Sequence, residues 1–246
     1  KLLLIYIKMK TIAIIPIFNE KNIEPLINSI KNYVDSILII DDGSVIPIKI
    51  SNYTIIRNSK NKGKGYCLRR AFKFAKNFEN IIILDGDGEH SPSDIPKFVE
   101  SLNNLNCLVI GRRNKQRSLI RTMLNNWADL WIKHIIPLKD FNCGFKAIDN
   151  KSLKKLNLKS NGFEIDLEIL LECKKNKIPI KSISINTKLK KKSHVKLKDY
   201  IKINNFFDKW LLKNIKNIEI KESKKSFLII SSKIGLFFGK IILVFI

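Results

Sequence analysis

The sequence predicts an α/β fold, a mainly parallel β-sheet covered by helices on both faces. Three observations carry that expectation. Apolar residues recur in short continuous runs, such as 37–40, 81–84 and 107–110, and strands buried on both faces read this way. Segments with apolar residues at helical spacing separate those runs, and strand–helix alternation implies crossovers between parallel strands. The ends of the runs are polar: Asn19-Glu20, Asp41-Asp42 and Asp85-Gly86-Asp87 follow three of them, and Arg112-Arg113 a fourth. In open α/β sheets ligands bind beyond the carboxyl ends of the strands.

Thr11 to Ile15 forms the first strand, stopped by Pro16. Ile23, Leu26, Ile27 and Ile30 predict an amphipathic helix over 22–33. Ile37 to Ile40 is the second strand, and Tyr53 to Arg57 a weaker third. Lys62-Gly63-Lys64-Gly65 opens a helix with Leu68, Ala71, Phe72 and Ala75 on one face. It lacks the spacing of a Walker loop, and it either steers a phosphate ligand or caps the helix. Ile81 to Leu84 is the next strand. Ser91-Pro92 reads as an N-cap and first helical residue, before Ile95, Phe98, Val99 and Leu102. Cys107 to Ile110 is a further strand. Residues 118–135 read as a long helix carrying Trp127 and Trp131, and 141–145 as a turn into a short strand. A helix over 163–176, a strand over 179–186, a basic loop over 187–198 and an amphipathic helix over 199–217 complete the main domain, 10–218.

The chain has 246 residues and a net charge of +24, from 46 Lys+Arg and 22 Asp+Glu. Such a balance favours anionic partners. The lysines are scattered over all segments rather than clustered with interleaved aromatics, which argues against a nucleic-acid surface. Cys67, Cys107, Cys143 and Cys173 include no CxxC pair, so buried free thiols are expected and a zinc site is not. His90, His134 and His194 form no metal-spaced set. Lys1 to Ile7 is too short for a membrane span and shows no cleavage-site pattern. Residues 226–246 are almost continuously apolar but contain Lys233 and Lys240, which share a helical face. This membrane-associated segment reads as a lone anchor, a first span of several, or a surface helix.

The chemistry concentrates at Asp85-Gly86-Asp87-Gly88-Glu89. On extended backbone residues i and i+2 point the same way, so Asp85 and Asp87 face one point. Paired hard oxygens suit Mg²⁺ or Mn²⁺ completed by phosphate oxygens. The glycines keep the loop bare and allow close approach of a ligand.

Taken in order, Ile14-Ile15-Pro16-Ile17-Phe18-Asn19-Glu20, Asp41-Asp42-Gly43-Ser44, Asn61 to Gly65, Leu84 to Pro92, Gly111-Arg112-Arg113 and Asp140 to Phe145 resemble the motifs of a GT-A fold, family 2 inverting glycosyltransferase. The pattern is most similar to that of dolichol-phosphate mannose synthases and other polyprenyl-phosphate glycosyltransferases, and covers roughly residues 10–205. The resemblance implies a hexose moved from a GDP- or UDP-linked sugar to a polyprenyl phosphate on the cytoplasmic face of a membrane, with Mg²⁺ or Mn²⁺ as cofactor. It implies that Pro16, Phe18, Glu20, Asp42 and Ser44 line the nucleotide pocket, and that Asp85, Asp87 and Glu89 hold the ion, with Gly86 beside the donor. It places Arg113 on phosphate, Arg121 and Asn125 on the acceptor phosphate, and Lys188, Lys190 and His194 in a loop closing over the diphosphate. Family members often carry Gln where Glu89 stands. A hydroxyl acceptor on a glycan or glycolipid is the alternative, for which Asp140 and Glu168 are candidate bases.

Overall fold

The computed structural model describes residues 10–102, 105–113, 132–138, 140–188, 197–218 and 224–233. Seven strands form one sheet: β1 (Thr11–Ile17), β2 (Ser36–Asp41), β3 (Thr54–Arg57), β4 (Asn80–Ile83), β5 (Leu108–Arg113), β6 (Lys146–Asp149) and β7 (Ile180–Ile185). Their spatial order is β3-β2-β1-β4-β6-β5-β7. Pairs β1·β2, β1·β4, β2·β3 and β5·β7 are parallel, as the continuous apolar runs predict, while β6 lies antiparallel to both β4 and β5. The central strands β2 and β4 are buried along nearly their whole length, and the edge strands β3 and β7 are half-exposed.

The antiparallel β6 decides what reaches the site. Its first residue, Lys146, pairs with Ile83 near the end of β4 and with Ile110 in β5. The segment entering β6 therefore arrives at the same sheet edge where the parallel strands deliver their carboxyl ends.

The helices are α1 (Glu24–Ile30), α2 (Lys64–Phe74), α3 (Ile95–Leu102), α4 (Asn150–Leu153), α5 (Ile165–Lys175) and α6 (Leu197–Asn214), and residues 224–233 are also helical. Between Ser91 and α3 the chain makes a short 3₁₀ turn, Pro92–Asp94, and the Ser91 side chain makes no cap bond. α4 is capped by Asp149, whose carboxylate accepts from Ser152 N–H and, with its other oxygen, from Cys107 N–H. The α2 N-terminus is closed by protein: Gly65 N–H donates to Gly162 O and Tyr66 N–H to Asn161 O. Those donors are taken, so the Gly-Lys-Gly stretch is a capped helix start and not an anion cradle. Gly63, at φ +94, turns the chain into α2 where an added Cβ would strike Asn161 O.

α5 buries its acids beside its apolar residues. Asp166, Glu168 and Glu172 are buried together with Leu167, Leu170 and Leu171. Each acid has a partner, as buried charge requires. Lys64 and Lys146 hold Asp166, the N–H groups of Lys159 and Ser160 hold Glu168, and Asn157 N–H donates to Glu172. All four cysteines are buried and free. Among the described residues no helix is long and apolar enough to cross a membrane. Most of the 226–246 segment, and most of the 118–135 helix with its two tryptophans, lies outside the described residues.

Candidate active site

In strand order the sheet reverses direction of progression between β1 and β4, and ligands of α/β sheets bind at such a switch point. The β4 loop lies against the end of β1: an added Cβ on Gly86 would meet the Ile17 side chain and come within 3.1 Å of Pro16 O. Glycine at 86 lets the carboxylate loop press on β1.

The β1–β2 corner is tied together by short polar contacts. Asn19, in the left-handed region at φ 56 that Asn tolerates, donates its N–H to Ser44 Oγ, and its side-chain oxygen accepts from Val45 N–H. Asp42 is buried, and its carboxylate accepts from Asn58 Nδ2 (2.7 Å), Lys62 N–H (2.9 Å) and Gly63 N–H (2.8 Å). Asp41 accepts from Ser44 N–H and is paired with Arg57. Asp41 thus orients this loop from beneath. Phe18 stands exposed on the rim, and Pro16 and Glu20 are half-buried.

At the end of β4, Asp85 lies between a cation and a glycine. Lys64 Nζ is 2.7 Å from Asp85 Oδ1, and Gly144, on the segment entering β6, packs directly on the carboxylate. Lys64 also reaches Asp166 Oδ2 at 2.8 Å, and Asp166 Oδ1 holds Lys146 Nζ at 2.6 Å. Lys146 is fully buried and donates to Cys143 O as well. Burial pushes the Asp85 pKa up, but the Lys64 ammonium, with His90 and Lys146, outweighs burial and holds it well below the usual carboxylate range. Burial likewise opposes the charge on Lys64, and Asp166 and Asp85 more than reverse that effect. Asp85 and Lys64 are both charged near neutral pH.

Asp87 is half-buried, and its Oδ1 accepts from Glu89 N–H at 2.9 Å. Glu89 is buried and faces Arg113, 3.9 Å from Nη1. The Arg113 guanidinium is clamped by Asp140 through Nε (2.9 Å) and Nη2, and Arg113 N–H donates to the same carboxylate. Glu89 is therefore drawn toward a guanidinium, and among the described residues no three His, Cys, Asp or Glu side chains gather into a metal-holding cluster. The donor chemistry still fits a divalent ion, because Mg²⁺ commonly takes one or two carboxylates and fills its shell with phosphate oxygens and water. Asp85 and Asp87 are the pair that fits. Lys188, exposed, donates its backbone N–H to Glu89 O at 2.8 Å. Arg121, Asn125, Lys190 and His194 lie outside the described residues.

His90 is buried, its Nε2 3.7 Å from Cys143 Sγ and its ring tilted on Phe145. Burial lowers its pKa, against the pull of Asp85 and Asp87. Lys64, Lys146 and Asp166 are the residues that the sequence did not mark as one unit. The only local signal was Lys64 within a Gly-Lys-Gly stretch.

The profile of Glycosyl transferase family 2 matches residues 12–159 of the chain. The chain belongs to glycosyl transferase family 2. Among its relatives, an uncharacterized protein of Methanocaldococcus jannaschii is 32% identical over 67% of this chain and 82% of its own. A dolichol-phosphate mannosyltransferase of Pyrococcus furiosus is 28% identical over 69% of this chain, which spans 54% of that enzyme's length. A UDP-N-acetylglucosamine–dolichyl-phosphate N-acetylglucosaminyltransferase of Methanococcus voltae is 27% identical over 71% of this chain and 84% of its own. Glucosyl-3-phosphoglycerate synthase from Mycobacterium tuberculosis, solved with Mn²⁺, UDP and phosphoglyceric acid, superposes with a TM-score of 0.69 at 16% identity, covering 82% of this chain and 78% of that one. That likeness establishes the GT-A fold. This family 2 glycosyltransferase carries its carboxylates where the fold leaves its strand ends open.

Proposed function

We propose that this glycosyltransferase moves a hexose of mannose or glucose type from a GDP- or UDP-linked sugar to a polyprenyl phosphate, in one inverting displacement at the cytoplasmic face of a membrane. The observation that carries the reading is the meeting of Asp85 and Asp87 from the β4 loop with Arg113 from β5 at one sheet edge. The dolichyl-phosphate enzymes among its relatives support the acceptor. Asp85 and Asp87 would hold Mg²⁺ or Mn²⁺, with Glu89 beside them, and the ion would supply neutralising charge for the leaving diphosphate. Arg113, pre-set by Asp140, presents donors to phosphate in the same place, where fixed donors gain most as charge develops. Asp42, Ser44, Pro16, Phe18 and Glu20 frame the nucleotide end, and Lys188, Lys190 and His194 close over the diphosphate. Arg121 and Asn125 receive the acceptor phosphate.

An acceptor phosphate is already an anion near neutral pH, so it needs placement more than a base. The two candidate bases for a hydroxyl acceptor have other occupations: Glu168 fastens the 159–160 backbone and Asp140 clamps Arg113. This favours the phosphate acceptor. The basic surface and the apolar 226–246 segment hold the enzyme at the lipid, each nearby Lys or Arg adding about 1 kcal/mol on an anionic leaflet.

The test is incubation with labelled GDP- and UDP-hexoses, Mn²⁺ or Mg²⁺ and polyprenyl phosphate. Organic-extractable sugar is expected, and its absence with every donor sinks the proposal. Asp87→Ala should abolish turnover with the fold intact; near-normal turnover removes Asp87 from the ion site. Carbonate extraction of membranes checks the attachment.

A further inference from the structure

We propose that Lys64 is a positioning residue that makes cation binding depend on diphosphate binding, by serving as the resident counter-ion of Asp85. The inference rests on reading Asp85 and Asp87 as the cation's ligands.

The structure shows four alternating charges in a row: Asp85, Lys64, Asp166 and Lys146, linked at 2.7, 2.8 and 2.6 Å. Three of these side chains are nearly or wholly buried, and only Asp85 opens to solvent, with 32% of its side chain exposed. The row is electrically balanced as it stands. Such a chain is stable when complete and costly to leave with one member unpaired. Lys64 has little freedom to leave. Its backbone starts α2 directly after Gly63, and both flanking glycines are pressed against the 160–162 backbone, where any Cβ would collide. Asp166 is fixed in turn by Lys146 at the start of β6.

A divalent ion arriving alone at Asp85 meets an ammonium already paired with that carboxylate. It gains only part of the carboxylate's charge and is repelled by Lys64 across a poorly screened distance. A diphosphate changes the balance, because its oxygens attract the ion and the ammonium together. Ion and diphosphate then bind with positive coupling, and by linkage the coupling is the same whichever binds first. The free enzyme stays metal-poor and loads ion and donor as a pair. Allosteric couplings of this kind are typically about 5–150-fold, and one ammonium beside one ligand places this one at about 10-fold.

The experiment measures Mn²⁺ binding to the full chain by electron paramagnetic resonance, without acceptor, alone and with UDP or GDP, after correction for Mn²⁺–nucleotide complex in solution. The wild type should bind Mn²⁺ about 10-fold tighter with the matching nucleotide. In Lys64→Met, Mn²⁺ alone should bind about 10-fold tighter than in the wild type, and the nucleotide should add little. Lys64→Gln, which keeps a donor for both carboxylates and protects the fold, should show the same loss of coupling, and Lys64→Arg should keep it. Unchanged coupling in Lys64→Gln overturns the inference and leaves the ion site standing. A wild type that binds no Mn²⁺ with either nucleotide overturns the ion site itself, and the inference with it.

Discussion

Gly144→Ala is the smallest change that reaches the carboxylate centre. Gly144 does not have a positive φ, so alanine is acceptable to the backbone and the effect belongs to one methyl group. An ideal Cβ there would stand 2.7 Å from Asp85 Oδ1 and closer still to Oδ2, whereas real Cβ atoms keep 3.0 Å or more from their neighbours. Asp85 is the group that must yield, because Gly144 is anchored beside the fully buried Lys146. Its carboxylate retreats toward the mouth by about 1 Å, straining the Lys64 pair, and a misplacement of that size costs on the order of 10²-fold in rate. That is about 2.7 kcal/mol of transition-state stabilisation. Stability should fall by only about 1 kcal/mol, the low end for overpacking, since the displaced group moves into solvent. Initial rates with donor, Mn²⁺ and polyprenyl phosphate, read beside a thermal melt, test both halves. Activity within about threefold of wild type, well short of the 10²-fold expected for such a shift, refutes the geometry. A melt lowered far beyond about 2–4 °C, the shift for 1 kcal/mol in a domain of this size, refutes the claim that Asp85 can yield outward.

Burial raises the Asp208 pKa to about 6, partly opposed by a hydrogen bond with Ser232. A carboxylate raised on folding contributes stability below its unfolded pKa of about 3.9, and that contribution is lost as pH climbs to about 6. Asp208→Asn should therefore remove a downward slope between those values and gain up to about 2–3 kcal/mol at pH 7; an unchanged slope in denaturation midpoints excludes the assignment. Asp42→Asn turns an amide N–H₂ toward one of three donors, so urea unfolding should show a loss of about 1–3 kcal/mol, and an unaltered midpoint means those bonds do not bear on stability. Glu168→Gln should leave kcat in the folded protein within about threefold, far from the 10²–10⁴ that a general base contributes. A drop of that larger size in a well-folded variant makes Glu168 a base and reopens the hydroxyl acceptor.

The parallel strands were readable because a strand buried on both faces needs a continuous apolar run, and 37–40, 81–84 and 107–110 are such runs. The carboxylates at their ends were readable for the same reason, since a short strand fixes where its loop begins. Lys146 was not. A lysine opening a four-residue strand looks like a solvated turn, and only Asp166, twenty positions away, makes its burial tolerable. The acids of α5 are hidden in the same way. Nothing in the local pattern marks Glu168 and Glu172 as buried, yet their partners lie on the 157–160 segment and, for Glu172, also on Trp210 of α6. The resemblance groups Glu89 with Asp85 and Asp87 at the ion. The loop folds so that Asp87 takes the Glu89 N–H and Arg113 faces the Glu89 side chain, contacts that sequence alone does not show.

Charge operates on two scales in this protein, and they have opposite sign. The whole chain carries +24. Among the described residues, the row from Asp85 to Lys146 and the Arg113 clamp bring Asp85, Asp87, Glu89, Asp140 and Asp166 against Lys64, Lys146 and Arg113, two negative charges in excess. The distant lysines act through a field screened over about 8 Å at physiological salt, enough to draw an anionic donor or lipid surface toward the protein but not to set what binds within the loop. Within hydrogen-bond range the local excess governs. On the proposed reading, it would disfavour a bare diphosphate and favour one accompanied by a divalent ion, whose charge would offset the local excess. A uniformly basic mouth would bind nucleotide tightly before and after transfer alike, and uniform binding does not accelerate the chemical step. On the proposed coupling, the acidic centre would confine tight binding to the state in which ion and diphosphate are present together.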